Sequence, residues 1–196
     1  MKKIEARNIH KSFQELNVLQ GIDLDVEEGE VIAVIGPSGS GKSTLMSILT
    51  GLYKPTEGCI MVGGEEVKFA SPADAIASGI GMVHQHFKLI DVMTAAENII
   101  LGLKGNAVLD MKKVHKDIQE LVDRYGFDLD PAQKVYTMSV SQKQTVEIVK
   151  MLYRGANILI LDEPTSVLTP QEVDKLFEVL RLSLIHISEP TRQAEI

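Results

Sequence analysis

Residues 3–26 alternate loosely between apolar and polar positions, with Ile4 and Ala6 followed by Val18, Leu19, Ile22, Leu24 and Val26. A period of two predicts short strands of a half-exposed antiparallel sheet. The pattern changes after the turn Glu27-Glu28-Gly29-Glu30, where Val31-Ile32-Ala33-Val34-Ile35 form an unbroken apolar run. A run of this kind predicts a strand buried on both faces. Ile158-Leu159-Ile160-Leu161 is a second such run, and Ile80-Gly81-Met82-Val83 is a weaker third.

Between these runs the period lengthens to that of a helix. Leu45, Ile48, Leu49 and Leu52 recur at i, i+3, i+4 and i+7, as do Val114, Ile118, Leu121, Val122 and Tyr125 in their own stretch. Val146, Val149, Lys150 and Tyr153 mark another helix, with Gly155 as its stop. Thr169-Pro170-Gln171-Glu172 has the cap, first-turn proline and early acid of a helix start. Buried strands separated by helices predict an α/β fold with a parallel sheet. Residues from about 91 to 140 interrupt that alternation and are expected to form an inserted helical subdomain. The α/β core is then expected to comprise 1–90 and 141–182. The last stretch, SLIHISEPTRQAEI at 183–196, continues no element. It resembles the translation of a sequencing adapter and is expected to add nothing to the fold.

Composition narrows the classes. The chain has 196 residues, 44% hydrophobic and 24% charged, which excludes disorder as an overall description. Its 20 Lys and Arg against 27 Asp and Glu leave a net charge of −7, the wrong sign for a nucleic-acid binder. The single cysteine, Cys59, excludes an internal disulfide and fits a reducing compartment. No apolar run approaches the roughly 18–20 residues of a membrane-spanning helix. MKKIEARNIH is not a secretion signal, so the chain is expected in the cytoplasm.

Gly36-Pro37-Ser38-Gly39-Ser40-Gly41-Lys42-Ser43 matches G-x-x-x-x-G-K-[ST], placed after an apolar run and before a helix. The glycines let several N–H groups turn toward one anion. The helix start adds its positive end. Lys42 is expected at the β- and γ-phosphates of a nucleoside triphosphate, and the Ser43 hydroxyl on Mg²⁺. The run ILILDEP ends in Asp162 and Glu163. An acid at the end of a strand beside such a loop suits the magnesium shell, and the second acid suits the attacking water. His84 and His86 flank Gln85 as H-x-H, but no further Cys or His ligands cluster nearby, so packing is the expected role.

GPSGSGKST, a glutamine after the third strand, an S-x-S-Q stretch at 139–142 and ILILDEPTS stand in the order found in ATPases of ABC transporters. Residues 1–182 resemble that family. MVHQHFKL, MTAAENIILG and DEPTSVLTPQE look like its simple-sugar and nucleoside importer branch. The resemblance implies a RecA-like core with an N-terminal antiparallel subdomain. It implies that ATP and Mg²⁺ are bound by Gly36, Ser38, Gly39, Ser40, Gly41, Lys42, Ser43 and Thr44, with Ser43, Gln85 and Asp162 around the metal. Glu163 and Gln85 become the catalytic pair. Phe13 sits where an aromatic stacks on adenine; the alternative for Phe13 is a core residue of an edge strand. Met138-Ser139-Val140-Ser141-Gln142 aligns with the signature LSGGQ, so Ser139 and Gln142 would clasp the γ-phosphate held by a second copy. Val140 and Ser141 replace its two glycines, and Thr145 and Thr169 replace a common arginine and aspartate.

The same resemblance implies two ATPase domains paired head to tail, two transmembrane permease subunits and, indirectly, an extracellular solute-binding protein. The location implied is the cytoplasmic face of the membrane. The family also uses a histidine on a strand beyond residue 182. His186 lies in the foreign-looking tail and is not assigned that role, so the chain reads as a truncated N-terminal domain with its last strands missing and without turnover alone. Two rivals remain at this level. A P-loop GTPase or small-molecule kinase would lack the signature helix, and a GTPase would carry N-K-x-D, which does not occur here. A non-hydrolysing subunit or fragment is the other, against which Glu163 stands.

Overall fold

The computed structural model describes residues 2–30, 32, 34–84, 87–103 and 110–161. The chain divides into two compact units, Met1–Gly81 and Met82–Ile196.

In the first unit β1 (Lys2–Phe13) and β2 (Leu16–Glu27) are antiparallel strands of 12 residues each. They are joined by Gln14 and Glu15, with Gln14 at φ 53. They are longer than the short strands the loose alternation predicts. Their ladder runs through four register irregularities, one of them between Ala6 and Ile9. There Asn8 turns to φ 49 and gives its N–H to Asp23 Oδ1 at 2.7 Å. A bulge of this kind shifts the inside–outside alternation without ending the strand. The sheet is completed by β3 (Glu57–Val62) and β4 (Glu65–Val67), in the order β2-β1-β3-β4. Gly63 and Gly64 make the hairpin turn between the last two. Ile4, Ala6, Ile9, Leu19 and Ile60 are buried on this sheet. Helix α1 (Lys42–Leu49) lies against β2 and buries Leu45, Ile48 and Leu49. It ends one turn earlier than its periodicity suggests, so Leu52 is exposed. A short helix, α2 (Pro72–Ala77), follows.

The expected doubly buried strand at 31–35 is not seen at the described residues of that run; Val31 and Ala33 lie outside them. Ile32, Val34 and Ile35 are in no strand, and Ile35 is 92% exposed. A strand buried on both faces needs a ladder on each side and a layer over each face. Among the described residues the parallel sheet holds two strands, β5 (Ile80–Val83) and β6 (Ile158–Leu161), which form as their apolar runs predict.

The second unit is largely helical, with α3 (Ala95–Ile100), α4 (Met111–Tyr125), a 3₁₀ turn at Val135–Thr137 and α5 (Val140–Tyr153). Its core joins Ala95, Ile99, Ile118, Val122, Val146 and Val149, all buried. The helix ends follow local chemistry. Asp110 caps α4 by accepting from the N–H groups of Lys112 and Lys113, and Gly126 closes it in the left-handed conformation. Asn98 is fully buried on α3 and spends its amide on the backbone of Ile90 and Thr94. Glu147, on α5, accepts the Lys88 N–H at 3.0 Å and faces the Lys150 ammonium at 3.6 Å. Segment 88–90 is thereby fastened to two helices, which offsets the cost of burying these polar groups. The helix expected from Thr169 lies outside the described residues.

Candidate functional site: a phosphate loop, a ring platform and a capped helix start

The loop at 36–43 leads directly into α1, whose N-cap is Gly41 at φ 89 with no side-chain cap. A Cβ at Gly41 would lie 2.8 Å from Leu19 Cδ2 and 3.2 Å from the Val18 carbonyl. Only glycine allows both the left-handed turn and this approach to β2. Gly39 also has a positive φ, 83, but with open space around it. Lys42 reaches back over its own loop. Its ammonium donates to the carbonyls of Gly36 at 2.5 Å and Pro37 at 2.9 Å, and lies 3.4 Å from Ser40 Oγ. One backbone bond crosses the loop, from Ser40 N–H to Pro37 O at 3.2 Å.

Ser38, Gly39, Ser40 and Ser43 are exposed, and Gly36, Gly41, Lys42 and Thr44 are half-buried. The donor set is therefore a cation, hydroxyls and the uncapped N–H groups of a helix start, gathered within eight residues. That chemistry fits a triphosphate with a divalent cation: Lys42 for the phosphates, Ser43 for the metal.

Phe13 ends β1 and is 40% exposed, which speaks against the alternative of a buried core ring. It meets Tyr53 edge to face, with centroids 5.4 Å apart and planes at 77°. The Lys11 ammonium lies 5.0 Å from the Phe13 centroid and 5.9 Å from that of Tyr53. Neither Lys11 nor Tyr53 belongs to a motif of the sequence. Lys11 had a legible signal, since it lies two residues before Phe13 on the same face of a strand. Tyr53 had none, because its approach to β1 is a tertiary contact.

In the second unit Ser139 is the N-cap of α5. Its hydroxyl accepts the Gln142 N–H at 3.2 Å, and Gln142 Oε1 accepts the Ser139 N–H at 3.1 Å. This is a reciprocal capping box. Val140 and Ser141, which stand where the family signature has glycines, are the first two helical residues and have no positive φ. Their backbone is ordinary helix, so glycine is not required there. Thr145 points its hydroxyl at the Ser141 carbonyl, 3.1 Å away. Gln85, His86, Asp162, Glu163 and Thr169 lie outside the described residues.

The ABC transporter family model matches residues 19–166, more than half of the chain. The chain belongs to the ABC transporter family, as the loop and its order of motifs imply. Among curated proteins it is 48% identical over 180 residues to the guanosine import ATP-binding protein NupO of Bacillus subtilis, covering 91% of this chain and 35% of the relative. It is 46% identical to the nucleoside import ATP-binding protein NupA of Lactococcus lactis, covering 91% and 36%. It is 42% identical to the glucose import ATP-binding protein TsgD13 of Haloferax volcanii, covering 98% and 42%. The chain thus spans about a third to two fifths of the length of these relatives. Among solved structures it is similar to the ADP conformation of MJ1267, an ATP-binding cassette of an ABC transporter. That match has a TM-score of 0.82 and 27% identity, and covers 93% of this chain and 77% of that one.

Proposed function

We propose that the chain is an ATP-binding cassette that hydrolyses Mg-ATP to energise import of a sugar or nucleoside. The observation that carries this is the loop 36–43: an uncapped helix start, two glycines at positive φ and the Lys42 ammonium held within the loop, in a chain of the ABC transporter family. The printed roles of NupO, NupA and TsgD13 supply the solute class. In this reading the backbone N–H groups of Ser38 to Thr44 bind phosphate oxygens and Lys42 neutralises the β- and γ-phosphates. Ser43, Gln85 and Asp162 hold the metal, which screens the phosphate charge when bound. Gln85 and Glu163 orient the attacking water, Glu163 accepting its proton. Phe13 carries the adenine. Ser139 and Gln142 complete the site of a second ATPase domain, and two permease subunits at the cytoplasmic face of the membrane receive the motion. An extracellular solute-binding protein delivers the cargo. The core is assigned to 1–90 and 141–182, and the helical subdomain to 91–140.

The test is phosphate release and solute uptake in vesicles that hold the partner cassette and permease. Glu163→Gln is expected to abolish both while ATP still binds, because an amide cannot accept the proton. Unchanged turnover in Glu163→Gln overturns the reading.

A further inference from the structure

We propose that Lys11 and Tyr53 are positioning residues of the nucleobase platform, holding the Phe13 ring in the orientation on which a purine stacks. The proposal rests on the reading that Phe13 carries the base. Phe13 is the last residue of its strand, next to a two-residue turn, and is 40% exposed. A ring in that position has little of its own strand to hold it. Here it is held by residues from elsewhere. Tyr53 meets it edge to face at 5.4 Å, and the Lys11 ammonium lies within 6 Å of both rings.

Lys11 is itself fixed, because its ammonium donates to the Lys54 carbonyl at 2.8 Å. Two further bonds fasten the segment bearing Tyr53 to the end of β1. Thr56 N–H donates to the His10 carbonyl at 2.8 Å, and Ser12 N–H donates to Thr56 Oγ1 at 3.1 Å. The cation, two rings and three hydrogen bonds form one small assembly at the strand end. A ring ordered in advance loses less freedom when a base stacks on it, so the assembly raises affinity through preorganisation. The three side chains offer a base two π-systems and a cation. That favours stacking on any purine over reading its exocyclic groups.

The experiment is titration calorimetry of the 196-residue chain with Mg-ATP and, separately, with inorganic triphosphate. Tyr53→Ala is expected to weaken ATP about 2- to 10-fold, the span of one aromatic pair. Lys11→Met is expected to weaken ATP about 2- to 5-fold, the span of an exposed cation–π contact. Tyr53→Phe and Lys11→Arg keep the ring and the cation and are expected to restore wild-type affinity. Inorganic triphosphate affinity stays unchanged throughout, which also shows that each variant is folded. If Phe13→Ala weakens ATP while Tyr53→Ala and Lys11→Met do not, the positioning role is wrong and the Phe13 reading stands. If Phe13→Ala leaves ATP affinity unchanged, the platform itself is wrong. A parallel fall in triphosphate affinity would place the effect in the phosphate loop and overturn the proposal.

Discussion

Helices α1 and α5 carry the two helix starts that the proposed function assigns to phosphate, yet they begin in different ways. At α1 the cap is Gly41, with no side chain to accept an N–H, and the flanking serines are exposed. At α5 the cap is Ser139, and Ser139 and Gln142 satisfy one N–H each. The first four N–H groups of any helix lack partners within it. An uncapped start leaves them for an anion and is correspondingly less stable alone. A boxed start is stable alone and offers fewer donors. In the proposed reading the difference separates a start that binds phosphate by itself from one that adds to a site built elsewhere. It also explains why Val140 and Ser141 are tolerated: the boxed helix starts on ordinary backbone, whereas a side chain at Gly41 is strained by its left-handed φ and crowds Leu19 and the Val18 carbonyl.

The largest expected effect breaks the comparison at its charged end. Lys42→Ala removes the only cation of the loop at 36–43 and is expected to cost about 2–5 kcal/mol in ATP affinity. Calorimetry showing equal affinity would mean that α1 does not meet phosphate.

Gly41→Ala is the next largest. The left-handed conformation costs an L-residue roughly 1–2 kcal/mol, and the added Cβ meets Leu19 and Val18. Urea unfolding is expected to shift by about 1–3 kcal/mol in all. Gly39→Ala, with open space around it, is expected to lose only the conformational part; equal losses for the two would show that the approach to β2 is unimportant.

Ser139→Ala removes one half of the box at α5. It is expected to destabilise by about 0.5–2 kcal/mol in chemical unfolding. Triphosphate affinity of the lone chain should not change, since the proposed function assigns that to α1. A fall in that affinity would merge the two helix starts into one site.

The smallest effect is on pH. Helix α3 begins with a second box, in which Glu97 accepts the Thr94 N–H at 2.6 Å. That bond, helped by the Lys134 ammonium, holds the Glu97 carboxyl below its ordinary value. A folded value below the unfolded one means the contribution is complete above the ordinary carboxylate range. It fades as pH falls through the lower folded value. Glu97→Gln is therefore expected to flatten the acid end of the stability–pH curve slightly, and an unaltered curve would remove the box from the account of α3.

The legible parts of the molecule are those whose causes lie within a few residues of chain. The phosphate loop is eight contiguous residues, and its glycines, lysine and serine imply their geometry directly. Helix α4 could be read from Val114, Ile118, Val122 and Tyr125, and the end of α5 from Gly155. Ile32, Val34 and Ile35 depart from the expected strand, because an apolar run specifies a wish for burial but not the neighbours that supply it. Leu52 continued a helical period that the fold ended at Leu49. Nothing in the sequence marks Asn98 or Glu147: a polar residue within a helix shows no sign of the distant backbone it bonds.

By itself, then, the sequence determined the phosphate loop, the stop of α5 at Gly155 and the mixture of strand and helix periods, because φ preferences and bonds between near neighbours act before any chain segment meets another. Tertiary structure decided that β1 lies between β2 and β3, that the ladder slips at Asn8, that Tyr53 and Lys11 gather on Phe13, and that segment 88–90 is held by Asn98 and Glu147. Each of these joins residues distant in the chain or opens a bulge that only the paired strand makes worthwhile. Their free energy depends on which surfaces close on which, and a one-dimensional pattern of apolar and polar positions leaves that choice open.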